Sequence, residues 1–291
     1  MQDFASLKKF IESELRVLKL EESECRAEAE LILRHFTNMT LTERLCAPSE
    51  KLSADLLESI QSVLARRKMR EPLQYCLGET FFFGMRFALR PGVLIPRQDT
   101  ETLVEAALSC FSARQAQAPA AMLLGEIGSG SGIISVALLK HLRAARISAC
   151  DISGTACELS RENAELHGVN ERLDILCADW REWLGQQTSL LDGLVSNPPY
   201  IARTLSDTLE PEVKLWEPDA ALFGSDEDGL GFYRQFASFA QPFLRSGASV
   251  FLEIGFDQAE KVGQIFAQHN WLRGAVFNDL SGIARVLSFV R

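Results

Sequence analysis

From Met122 onward, short apolar runs alternate with stretches of helical periodicity, and nothing else in the chain constrains the fold as tightly. Runs at 122–127, 146–150, 173–177, 192–196 and 248–253 predict strands. Helical stretches at 133–142, 154–167 and near Trp183 separate the first four strands, and another at 231–243 precedes the fifth. Consecutive strands joined by helices run parallel, so the expected fold class is α/β: a mostly parallel sheet with helices on both faces. Residues 275–278 and 285–289 are expected to add an antiparallel edge.

A length of 291 residues leaves room for a second domain. Phe4, Leu7, Ile11, Leu15 and Leu18 recur at helical spacing, a second helix is expected from an N-cap at Ser23 to Phe36, and a third follows Ser53. Residues 1–70 therefore predict a small helical domain, ending in Arg66, Arg67, Lys68 and Arg70, whose charge suits a helix C-terminus. Residues 71–95 read as a linker with a β-hairpin, because Phe81, Phe83, Phe87 and Leu89 alternate about Gly84. Beyond the loop between Pro91 and Pro96, a helix capped by Asp99 is expected over 100–111, then a surface connection over 112–120. Residues 96–291 form the larger domain.

Charge narrows the class of partner. Residues 1–70 carry 12 Lys/Arg against 12 Asp/Glu, and residues 71–291 carry 18 against 27. An acidic larger domain is a poor match for a phosphate backbone, so no stable nucleic-acid binding is expected. The seven cysteines are scattered without a C-x-x-C pair, and the four histidines lack ligand spacing, which excludes a disulfide framework and predicts no metal site. No run of 18 apolar residues occurs, and Asp3, Lys8, Lys9 and Glu12 interrupt any leader-like stretch. A cytoplasmic monomer is the expectation.

Four ligand-competent segments end successive strands. Glu126-Ile-Gly128-Ser129-Gly130-Ser131-Gly132 opens a helix, and its glycines let the backbone turn sharply and approach a ligand. A dinucleotide fingerprint would need glycine at Ile133 and a phosphate loop a G-K-[ST] ending, so neither is present. Asp151 ends the second strand, where an acidic side chain reaches ribose hydroxyls or caps the next helix. Asp179 and Trp180 end the third. Asn197-Pro198-Pro199-Tyr200 ends the fourth. Each residue before a proline is held extended, and neither proline has an N–H, which makes a stiff lip of hydrogen-bond acceptors suited to an NH₂ group.

The G-x-G-x-G loop after an acidic residue resembles the S-adenosylmethionine loop of Rossmann-like methyltransferases. Residues 71–105, with EIGSGSG, SNPPYI, EPDAALFGSDEDGLGFYRQF, LEIG and DLSGIARV, resemble the peptide-chain-release-factor glutamine methyltransferases, the PrmC or HemK family. The likeness covers residues 71–291 closely and the helical domain more loosely. Gln98 stands where that family usually has proline, Glu126 where aspartate is common and Ile254 where histidine is common. The resemblance implies S-adenosylmethionine as methyl donor and S-adenosylhomocysteine as product. It assigns donor contacts to Gly128, Ser129, Gly130, Ser131, Gly132, Asp151, Trp180 and Asn197. It assigns substrate contacts to Asn197, Pro198, Pro199 and Tyr200, with Asn197, Pro198 and Tyr200 catalytic. The implied acceptor is the glutamine of a Gly-Gly-Gln loop in a release factor, gripped elsewhere by residues 1–70. Because SNPPY also occurs in adenine-amino methyltransferases, methylation of nucleic acid is the alternative.

Overall fold

The computed structural model describes residues 3–46, 53–117 and 121–291, so part of the expected 112–120 connection lies outside the described residues. The chain divides into two compact units. One holds the residues up to Glu79 together with Glu210–Trp216, and the other holds Thr80–Leu209 with Glu217–Arg291.

In the first unit, α1 (Phe4–Leu15), α2 (Glu22–Thr37), α3 (Leu41–Cys46), α4 (Ala54–Lys68) and α5 (Leu73–Leu77) enclose a core of Leu7, Ile11, Leu33, Ile60 and Leu64. Ser53 caps α4, accepting from the Leu56 amide at 3.1 Å. Ser23 is not a cap: Glu24 reaches back to the Glu21 amide at 3.0 Å, so the helix starts earlier and Ser23 lies inside its first turn. The basic run at the end of α4 is an ion-pair network. Arg67, 2% exposed, meets Glu28 at 2.7 Å and Glu212 at 3.4 Å, and Arg70 meets Glu212 at 3.0 Å.

The second unit begins at Thr80, so the expected 71–95 linker is split: α5 falls in the helical unit and the hairpin in the sheet unit. The hairpin pairs β1 (Glu79–Phe82) with β2 (Met85–Ala88) through Phe83 and Gly84, both at positive φ as a tight twisted hairpin requires. It is fastened to the body by Asn163, which accepts from the Ala88 amide at 2.8 Å and donates to the Ala88 carbonyl at 3.0 Å. Helix α6 (Glu101–Gln117) follows a 3₁₀ turn and runs beyond the expected end at 111. Asp99 lies within that turn and pairs with Arg285 at 3.0 Å instead of capping.

The main sheet contains β3 (Met122–Ile127), β4 (Ala145–Asp151), β5 (Leu173–Cys177), β6 (Leu191–Ser196), β7 (Leu244–Glu253), β8 (Leu272–Asn278) and β9 (Ala284–Val290), in the order β5-β4-β3-β6-β7-β9-β8. Strands β3 to β7 are parallel. The antiparallel strand is β9, inserted between β7 and β8, so β8 forms the edge. Helices α7 (Ile133–His141) and α8 (Gly154–Leu166) share one apolar layer with α6. The second layer takes Trp183 of α9 (Trp180–Gly185), then, after α10 (Pro211–Trp216) and α11 (Asp219–Leu222), Phe236 of α12 (Gly231–Phe239) and Phe266 of α13 (Ala259–Gln268). Two layers on a parallel sheet are what a near-continuous apolar strand needs, since both its faces are buried. Among the described residues no helix is long and apolar enough to cross a membrane.

Candidate functional site

The chain leaves β3 to build β4 and β5 on one side, then returns to build β6 on the other. Ligands of open α/β sheets bind at such a switch point, where two neighbouring strands send their loops apart. Ile127 and Ser196 are register partners there, and Ser196 Oγ donates to the Ile127 carbonyl at 2.8 Å. The glycine loop and the lip thus start side by side.

The amides of Gly128 and Ser129 both donate to the Cys150 carbonyl, at 2.9 and 3.0 Å, which folds the loop over the end of β4. Gly132 has φ +80°, and a Cβ on it would press on Ser160 at 3.1 Å, so glycine is required. Gly130 lines a cavity, and the same atom there would meet nothing within 4 Å. The cavity measures about 410 Å³. That lies within the range of roughly 300–1,000 Å³ typical of small-molecule sites.

Gly128, Gly130, Asp151, Trp180, Asn197, Pro198 and Pro199 stand on the cavity wall. Ser129, Ser131 and Gly132 do not: Ser129 meets Ser160 Oγ at 3.2 Å, the Ser131 carbonyl accepts from Asn163 at 2.9 Å, and Gly132 opens α7. Asp151 accepts from the Gly130 amide at 2.8 Å and the Ser153 amide at 2.9 Å. Burial raises its pKa, and the amides of Ser153, Gly130 and Ile152 partly offset that. The cap of α8 is Ser153. Asp179 caps α9, accepting from the Arg181 amide at 2.9 Å, while the Trp180 ring lies 5.6 Å from Phe232 and beneath the Arg181 guanidinium.

In the lip, Asn197 Nδ2 donates to Thr100 Oγ1 at 3.1 Å. Tyr200 is not on the cavity wall; its hydroxyl donates to Glu253 at 3.3 Å and its carbonyl accepts from Gln258 at 2.9 Å. Two buried carboxylates stand behind the site. Glu126 accepts from the Ser135 amide at 3.1 Å and from its hydroxyl, leaving Oε1 without a partner, and burial pushes its pKa up to about 8. Glu253 leaves Oε2 without a partner, and burial pushes it up to about 7. Two residues near the family's departures have structural partners: Arg97 pairs with the buried Glu217, and Glu101 accepts from the Phe83 amide at 2.7 Å. Sequence reasoning missed the walls supplied by Val93, Leu94, Pro218 and Ala221. Ile152, 72% exposed beside Asp151, carried the one local signal, an apolar side chain left in water at a strand end.

A sheet of this order, with a glycine loop after β3 and an Asn-Pro-Pro-Tyr lip after β6, defines a Rossmann-like methyltransferase. Residues 11–78 match the model of the PrmC N-terminal domain, and residues 105–225 match that of the ribosomal protein L11 methyltransferase (PrmA). A release factor glutamine methyltransferase of Geobacter sulfurreducens is 42% identical over 81% of this chain and 79% of its own length. A bifunctional methyltransferase of Rickettsia bellii is 35% identical over 90% of this chain but 50% of its own length, so the chain spans about half the length of that relative. The crystal structure of a release-factor-specific protein-(glutamine-N5) methyltransferase from Alicyclobacillus acidocaldarius is 29% identical over 70% of this chain and 99% of that one, with a TM-score of 0.44. The chain belongs to the release factor glutamine methyltransferase family.

Proposed function

We propose that this protein transfers a methyl group from S-adenosylmethionine to the side-chain amide nitrogen of the glutamine in the Gly-Gly-Gln loop of a peptide chain release factor. The observation that carries the reading is the state of Asn197. Its NH₂ is tied to Thr100, which leaves its oxygen as the acceptor to offer at a lip where Asn197 and Pro198 both line the cavity.

The wall residues fit the donor. Gly130 leaves open space where any other side chain would stand, and Asp151 keeps lone-pair capacity beyond the amides it accepts from, as ribose hydroxyls need. The Trp180 ring offers an apolar surface to the base. When bound, S-adenosylmethionine supplies an electrophilic methyl group and leaves as S-adenosylhomocysteine.

The chain's own residues have to overcome amide resonance, the delocalisation behind a C–N rotation barrier of ~18–20 kcal/mol. Asn197 Oδ1 and the Pro198 carbonyl accept one N–H each, which favours a pyramidal nitrogen with a free lone pair and stabilises the positive charge that develops on it. That lone pair forms the new bond to carbon, and the surplus proton leaves to solvent afterwards. Tyr200, off the cavity wall and anchored through its hydroxyl to Glu253, holds the end of the lip, and the helical unit grips the rest of the release factor. Rate comes from alignment and preorganised polar groups.

The test is incubation with labelled S-adenosylmethionine and purified release factors, then mass spectrometry of the Gly-Gly-Gln peptide. A methyl group on the glutamine is expected, and Asn197→Ala should lower turnover on the order of 10²–10³-fold while leaving much of the donor affinity. Label in nucleic acid and none in the peptide would overturn the reading.

A further inference from the structure

Two segments that line the cavity, far apart in sequence, are fastened to each other by one buried carboxylate. Glu217, whose side chain is 1% exposed, accepts from the Ile95 amide through Oε2 at 3.2 Å and from the Arg97 guanidinium through Oε1. Ile95 and Arg97 close the loop after β2, a stretch outside any strand or helix that lines the cavity with Gly92, Val93 and Leu94. On its other side Glu217 leads directly into Pro218, Ala220 and Ala221, which line the same cavity. That second segment is laced to the end of the lip. The Ile201 amide donates to the Leu222 carbonyl at 3.0 Å and the Gly224 amide to the Ile201 carbonyl at 3.1 Å, while a Cβ on Gly229 would come within 2.2 Å of the Tyr200 carbonyl. The lip, residues 217–224 and the 92–97 loop are therefore one continuous piece of wall, and Glu217 is its joint. The lining residues of the two segments carry no polar side chain, so this collar selects by fit and not by hydrogen bonds.

We propose that Glu217 is a positioning residue that fixes the width of the acceptor entrance, so that the lip admits a glutamine whose neighbours have no side chain. The proposal rests on the reading that Asn197 grips a carboxamide, and adds what turns other glutamines away. Every protein glutamine offers the same NH₂ to the lip, so discrimination has to come from what stands beside it. A glutamine at position 217 would not preserve the joint. The Ile95 N–H and the Arg97 guanidinium are both donors, and a carboxamide has one oxygen and an NH₂ to set against them, so one arm is lost at nearly unchanged volume.

Two readouts test this on the full chain. With release factors carrying Gly-Gly-Gln or Gly-Ala-Gln as substrates, the parent should favour the first by roughly tenfold or more in kcat/KM, as expected of one extra carbon in a fitted apolar site, and Glu217→Gln should cut that preference to about twofold. The KM for S-adenosylmethionine should be unchanged. Arg97→Lys, which keeps the charges balanced and exchanges the fork for a point charge, should shift the preference the same way but less, and stands in if Glu217→Gln fails to fold. In ¹⁵N-labelled protein, hydrogen exchange at the Ile95 amide should quicken in Glu217→Gln. A parent that methylates both factors alike, a preference that stays parental in the variants, or one that falls only together with a raised KM for S-adenosylmethionine would overturn the proposal, as would unchanged exchange at Ile95. A parent that labels neither factor would overturn the substrate reading, and the Ile95 exchange would then decide the joint by itself.

Discussion

The two units handle buried charge in opposite ways. In the helical unit, Arg67 is enclosed with both of its counter-charges, Glu28 and Glu212. Burial raises the pKa of Glu212, but the Arg70 hydrogen bond and the charges of Arg70 and Arg67 outweigh that and hold it below the ordinary carboxylate range. In the sheet unit, Glu126 and Glu253 are enclosed with hydroxyls and amides, each keeps an oxygen without a partner, and both titrate far above the ordinary range. Paired buried charge resists removal of either partner, whereas carboxylates with raised pKa values gather where chemistry is done. The difference separates a scaffold from a site.

The largest effect should come from breaking the paired case. Arg67→Ala leaves Glu28 without its guanidinium and Glu212 with Arg70 alone, and should cost about 3–5 kcal/mol in denaturant unfolding at neutral pH. The loss should shrink in acid, because stability from a depressed carboxylate disappears as pH falls through its folded pKa. A loss below about 1 kcal/mol would remove the contrast between the units.

Glu126→Gln should act with the opposite sign. Its carboxyl has a folded pKa of about 8 against an ordinary 4.5, so between those values the folded state holds a proton that the unfolded state has released. Parental stability therefore falls as pH rises through that window, and removing the group should stabilise by on the order of 1–3 kcal/mol at the alkaline end, with little change at the acid end. Melting curves across the window check it; parallel slopes for parent and variant would sharpen the comparison against Glu126. Asp151→Ala should weaken S-adenosylmethionine binding by about tenfold, or 1.4 kcal/mol, in calorimetry, and lower the melting temperature modestly, because the Gly130 and Ser153 amides lose their acceptor. Smallest, Ser53→Ala should lose about 1 kcal/mol as a true cap, while Ser23→Ala should be close to neutral.

How far the sequence could be read follows from the length of the signals. The strand at 122–127 was legible because a buried strand is an apolar run between turn residues. The helices Leu73–Leu77, Pro211–Trp216 and Asp219–Leu222 were not, since four to six residues hold barely one period. The place of β9 between β7 and β8 is a pairing choice that strand composition does not encode. At the site, Gly128, Asp151 and Asn197 were visible because each ends a strand at the same sheet edge. Which face of the glycine loop is turned to the cavity depends on Ser160 and Asn163, about 30 residues away, and the walls at Val93 and Pro218 are set by long-range packing.

Glu210–Trp216 belongs with the helices at the start of the chain, although residues on either side of it belong with the sheet. Severing the polypeptide after Glu79 would therefore strip the amino-terminal piece of Glu212 and leave a guanidinium lodged in its interior with half its neutralising company. The boundary between folding units is crossed more than once, and no single cut in the gene separates them cleanly.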